Sequence, residues 1–144
     1  MQSRLINDAA ERTYAVIFER GDEVMADLQR FAEQQGLNGS RFTAIGAFER
    51  ATLGWFDWQT KDYEHIAVDE QVEVLSLIGD VSLEDGKPKL HAHCVLGKRG
   101  GATVGGHLVE AVVRPTLEVL LIESPGHLRR RHDPDSGLAL IRFD

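Results

Sequence analysis

Cysteine is nearly missing from this chain: Cys94 is the only one in 144 residues. An intramolecular disulfide is excluded, and nothing marks an oxidising compartment. Long apolar runs are missing as well. No segment approaches the roughly 18 apolar residues that a helical membrane span needs. Residues 1–22 hold no apolar run of signal-peptide type. Basic residues are in deficit, with 16 Lys and Arg against 23 Asp and Glu and a formal net charge of -7. Like charge opposes the approach to a polyphosphate, so composition gives no support to DNA binding, although it leaves room for a local basic patch. No linker, repeat or low-complexity segment interrupts the chain. These absences predict a soluble cytoplasmic protein with no membrane partner, folded as a single domain over residues 1–144.

What is present suffices for a core, with 42% hydrophobic residues. Tyr14 to Phe18 is β-branched and aromatic and reads as a first strand. Gly21-Asp22 ends it, with Asp22 placed to cap the following helix. Val24, Met25, Leu28, Phe31 and Ala32 recur at helical spacing, and Gly36 is a natural stop. Beyond Arg41 the texture is β. Strands are predicted over Phe42 to Ala47, Ala51 to Trp58, Tyr63 to Val68, Gln71 to Leu83, Leu90 to Leu96, Thr103 to Val109 and Thr116 to Ile122. Leu138 to Phe143 is predicted to close the sheet. Gln71 to Leu83 is apolar on both faces, which suggests burial on both sides. Glu84-Asp85-Gly86-Lys87 is a hairpin signal. One helix and many strands make an α+β domain.

The chemistry lies in histidines. Strand alternation puts Leu90, Ala92, Cys94 and Leu96 on one face, and His91 and His93 together on the other. Two residues apart on a strand is about 6.6 Å, close enough for two imidazoles to converge on one ion. Gly105-Gly106-His107 follows on the next strand, where two glycines permit close backbone approach. Three neutral imidazoles suit zinc or another late first-row metal, with a position left for a small ligand. A His-x-His pair alone arises often by chance; the third histidine distinguishes this set from surface residues. Cys94 faces the other way and reads as a small core residue.

Other features have plainer readings. His65 lies on an ordinary strand, and His127 and His132 flank a polar loop. Arg129-Arg130-Arg131 is the one basic run; Asp133 and Asp135 follow it, so it reads as a solvated loop. Gly101 to Gly106 has phosphate-loop spacing, but His107 stands where the lysine belongs. Trp55 and Trp58 read as core or subunit interface. A catalytic acid or base, if there is one, would be Glu110 or Glu118, the carboxylates nearest to His107 by sequence.

Gly46-Ala47-Phe48-Glu49-Arg50-Ala51-Thr52-Leu53-Gly54-Trp55-Phe56-Asp57 resembles the early signature of bacterial PPC (plants and prokaryotes conserved) domains. Leu90-His91-Ala92-His93 is similar to their His-x-His strand. Gly105-Gly106-His107-Leu108 and Pro115-Thr116-Leu117-Glu118-Val119 are similar to two later signatures, in matching order and spacing. The resemblance implies a twisted, largely antiparallel sheet with one main N-terminal helix, similar in fold to acetolactate decarboxylase. It implies a homotrimer and a metal site at His91, His93 and His107, with zinc first. It implies two alternative functions: a DNA-associated regulator, or a zinc-dependent lyase or hydrolase. Plant members carry Arg-Gly-Arg-Pro hooks for A·T-rich DNA; this chain has none, so DNA affinity is expected to be weak or absent.

Overall fold

The computed structural model describes residues 1–8 and 10–142, with side chains at Met1 and from residue 10 onward. Strands β1 (Gln2–Asp8) and β2 (Arg12–Glu19) form an antiparallel pair. On β2 the alternate residues Tyr14, Val16 and Phe18 are buried, as strand periodicity requires. Helix α1 (Val24–Gln35) follows and buries Val24, Leu28, Phe31 and Ala32. Its cap is Glu23, not Asp22. The Glu23 carboxylate accepts from Met25 N at 3.4 Å, Ala26 N at 2.6 Å and Ala111 N at 3.0 Å. The longer side chain thus caps the helix and pins it to a distant strand. Asp22 closes the preceding turn, accepting from Glu19 N and pairing with the Met1 ammonium. Gly36 ends the helix in the left-handed region at φ 61°, as predicted.

Strand β3 (Gly39–Asp57) is one 19-residue element where two strands were predicted. It bends at Gly46, where a Cβ would lie 2.3 Å from Thr116 O. After β4 (Asp62–Val68), β5 (Val72–Glu84) and β6 (Lys87–Gly97), β7 (Thr103–Glu123) likewise merges two predicted strands. Pro115 falls in a bulge between the pairs Phe48↔Val113 and Gly46↔Leu117, where it withholds no ladder hydrogen bond.

All strand ladders are antiparallel, in the order β1-β2-β7-β6-β5-β3-β4, and β3 also pairs with β7. That last pairing closes β7, β6, β5 and β3 into a ring. Its interior is filled by Phe42, Leu53, Leu77, Val81, Leu96, Leu108 and Leu121, among others. Helix α1 packs against β6 and β7. The Gln29 amide donates to Pro88 O and accepts from Leu90 N, which fixes the backbone just before His91.

Further expectations need correction. Tyr14 to Phe18 is not the first strand, since β1 precedes it. The C-terminal segment does not close the main sheet. Strand β9 (Ala139–Ile141) pairs with β8 (Arg130–His132) in a separate two-stranded sheet. Arg130 Nη1 holds it there, donating to Ala139 O at 2.9 Å; Phe143 lies outside the described residues. Strand β5 is not covered on both sides within one chain. Val72, Val74, Leu77 and Val81 are buried, whereas Leu75 and Ile78 are 55% and 56% exposed. The ring has one interior, so alternate residues of β5 must face outward.

Candidate metal centre

The predicted histidines come together on the outer face of the ring. Register pairs His93 on β6 with His107 on β7. His91 and His93 share one side of β6, and each of the three rings offers a nitrogen within 4.8 Å of the other two. Ring centroids lie 5.0–5.3 Å apart. His91 Nε2 and His93 Nε2 are 3.1 Å apart. Two nitrogens bound to one tetrahedral zinc at about 2.0–2.1 Å stand about 3.3 Å apart. That pair already has the required spacing, and the third ring offers a nitrogen within 4.8 Å of both.

The glycines act as the sequence suggests. A Cβ at Gly105 would lie 2.8 Å from Cys94 O, and one at Gly106 would lie 2.8 Å from Gly54 O. β7 therefore sits closely between β6 and β3 only because these positions are bare. On the far side of His107 stands Tyr63 of β4, stacked at 4.8 Å between centroids and 28° between planes. Gly54 makes room for it, since a Cβ there would meet Tyr63 Cδ1 at 2.8 Å.

At His107 and His93 electrostatics favour the neutral imidazole, the form that ligates metals. Burial, then the neighbouring His91 and His93, lower the His107 pKa to about 4. Burial and then His91 also lower that of His93. His107 Nδ1 is buried without a hydrogen-bond partner. A buried, unsatisfied nitrogen costs free energy unless something such as a cation meets it. The donor set and this orphan atom both fit a late first-row metal.

Three further residues frame the site, and the sequence reading assigned none of them to it. Asp80 on β5 is the register partner of His91, with Oδ2 3.6 Å from His91 Nδ1. Arg130 donates to Asp80 Oδ1 at 2.8 Å and to Ser82 Oγ at 2.6 Å. Burial would raise the Asp80 pKa, but its contacts with His91, Arg130 and Ser82 outweigh that and lower it. Tyr63 is the third. A signal for Asp80 did exist: counting back from the Glu84↔Lys87 turn places it opposite His91. Arg130 corrects the solvated-loop reading, since its side chain is only 8% exposed.

The remaining candidates lie elsewhere. Glu110 bonds Thr52 Oγ1 at 2.9 Å, and Glu118 is the register partner of Ile45; neither joins the three-histidine group. Cys94 is buried beneath the site, and burial raises its thiol to about 11. His65, His127 and His132 are exposed and separate. Trp55 and Trp58 are exposed rather than core. A cavity of about 340 Å³ opens beside His91 and His107, walled by Tyr63, Lys89, Arg130 and Leu138.

The model of the Plants and Prokaryotes Conserved (PCC) domain matches residues 6–125. The chain belongs to this family. Among solved structures, a plant- and prokaryote-conserved protein from Pyrococcus horikoshii is 35% identical, with 92% of each chain covered and a TM-score of 0.86. A metal-containing protein from Archaeoglobus fulgidus is 31% identical, over 99% of this chain and 97% of that one, with a TM-score of 0.84. A Ralstonia eutropha protein provisionally described as DNA-binding is 26% identical, over 91% of each, at a TM-score of 0.84. No curated protein matches the chain. A more distant likeness in fold alone, at 13% identity and a TM-score of 0.51, links the PCC chain to a Staphylococcus aureus protein similar to α-acetolactate decarboxylase. The α+β architecture and the family reading of the sequence are thus both borne out.

Proposed function

We propose that this PCC-domain protein is a metal-binding homotrimer in which His91, His93 and His107 hold one zinc ion. The observation that carries the reading is the convergence of three imidazole nitrogens within 4.8 Å. The metal-containing Archaeoglobus fulgidus relative supports it. A zinc ion held by three neutral imidazoles keeps a fourth position for a small anionic or carbonyl ligand, which it polarises when bound. The cavity beside His91 and His107 gives such a ligand access. We take the single domain to span residues 1–144 and the protein to work in the cytoplasm.

Trimerisation has its own support. Ile45, Leu75, Ile78 and Leu120 project from the outer face of the ring, each more than half exposed. Register joins Leu120, Thr43, Ile78 and His93 into one row across neighbouring strands. An apolar face of this kind is suited to burial against another copy, and the row supports a metal centre at the rim of such an interface.

The test is zinc uptake by untagged protein. Wild type should bind about one zinc per chain, and His93→Ala should weaken binding at least ~100-fold without unfolding, because one of three ligands is lost. Equal zinc affinity in the two proteins would overturn the reading. DNA association is the second reading, favoured by the description of the Ralstonia eutropha relative. The net charge of -7 argues against tight binding. Duplex affinity should be no better than ~10⁻⁴–10⁻⁶ M at physiological salt and steeply salt-dependent. Sequence-selective nanomolar binding would reverse the order of the two readings.

A further inference from the structure

We infer that Asp80 is the positioning residue of the metal centre: it fixes His91 as the Nδ1–H tautomer and so turns the Nε2 lone pair towards the ion. The inference rests on the metal-binding reading for its purpose, but its geometry is independent of that reading. The Asp80 carboxylate faces His91 Nδ1 at 3.6 Å. That is ion-pair range, and a movement of about 0.6 Å completes a hydrogen bond. The nitrogen facing a carboxylate must carry a proton, since two lone pairs there would repel. Nε2 is then the bare nitrogen of His91. The second contact is compatible with this. His91 Nε2 lies 3.1 Å from His93 Nε2, so one of the two nitrogens, and not both, is protonated in the metal-free protein. With Asp80 holding the His91 proton on Nδ1, His93 donates to His91.

Asp80 is itself held. Arg130 Nη2 donates to its Oδ1 at 2.8 Å, and Ser82 Oγ donates to the same oxygen at 3.0 Å. Arg130 also binds Ala139 O, so the chain His91–Asp80–Arg130 ties the ligand to the β8–β9 hairpin that walls the cavity. A carboxylate behind a metal-binding histidine fixes the ring and raises its basicity, and its loss commonly costs 10–100-fold in metal affinity.

Two measurements decide it. Long-range ¹H–¹⁵N correlation spectra of the metal-free wild type should show neutral His91 protonated at Nδ1, the minor tautomer of free histidine. In parallel, competition with a chelator should show zinc binding about 10–100-fold weaker in Asp80→Asn than in wild type. Finding His91 protonated at Nε2, or a folded Asp80→Asn that binds zinc within about threefold of wild type, overturns the inference. If Asp80→Asn does not fold, the wild-type tautomer alone decides between the two outcomes. Wild type that takes up no zinc defeats the metal reading separately, and the tautomer still tests the role of Asp80.

Discussion

His107 shows how one residue records its surroundings. Burial and two neighbouring imidazoles hold it neutral down to about pH 4, against an ordinary value of 6.5. Between those values the unfolded chain binds a proton that the folded chain does not. Stability of the metal-free protein must therefore fall as pH drops from about 6.5 to 4. Discounted for the solvent that reaches the ring, the loss is about 1–2 kcal/mol. Urea unfolding in the presence of chelator should show this slope, and His107→Gln should flatten it. An unchanged slope in the variant would mean that other groups cause it. The three histidines were legible because strand alternation and a Gly-Gly-His step are local patterns. Asp80 and Tyr63 were not, because they reach the site from other strands; only the turn register exposes Asp80. Arg130 was misread because a basic run beside two aspartates resembles a solvated loop. Its burial depends on Asp80, 50 positions earlier.

At the scale of elements, β2 to β7 and the helix followed from periodicity and turn residues, whereas β1, ahead of the strand read as the first, and β8, inside the stretch read as a loop, did not. Nor did the continuity of β3 and β7. Gly46 and Pro115 normally punctuate strands, yet here they sit in bulges that bend β3 and β7 without breaking them. The cap was misassigned because Glu23 is chosen by its long reach to Ala111 N on β7, a tertiary contact. One prediction belongs here. In Gly54→Ala the new methyl would meet Tyr63 Cδ1 at 2.8 Å and Val109 Cγ2 at 3.4 Å. Tyr63 must then leave its place over His107. The cost should be about 1–3 kcal/mol, read from the urea midpoint, with loss of ring-current shifts between Tyr63 and His107. Unchanged stability and shifts would show that the strands give way more easily than their packing suggests.

For the whole molecule, the outer apolar face and the three-histidine centre belong to one design: a closed ring buries its interior and leaves both features outside. Light scattering should give a mass near 48 kDa, three times the 16.0 kDa chain. Leu120 is 56% exposed in the single chain, so Leu120→Asp should leave the fold intact yet yield monomers near 16.0 kDa. Wild type that runs as a monomer would defeat the trimer, and a stable dimer would correct its number. One metal on three histidines is the central claim. It is tested most directly by anomalous X-ray diffraction from zinc-loaded crystals, recorded on both sides of the zinc absorption edge. The expected result is one zinc peak per chain, about 2.0–2.1 Å from a nitrogen of each of His91, His93 and His107. Zinc-loaded crystals with no peak there, or with the three rings turned into separate pockets, would contradict it.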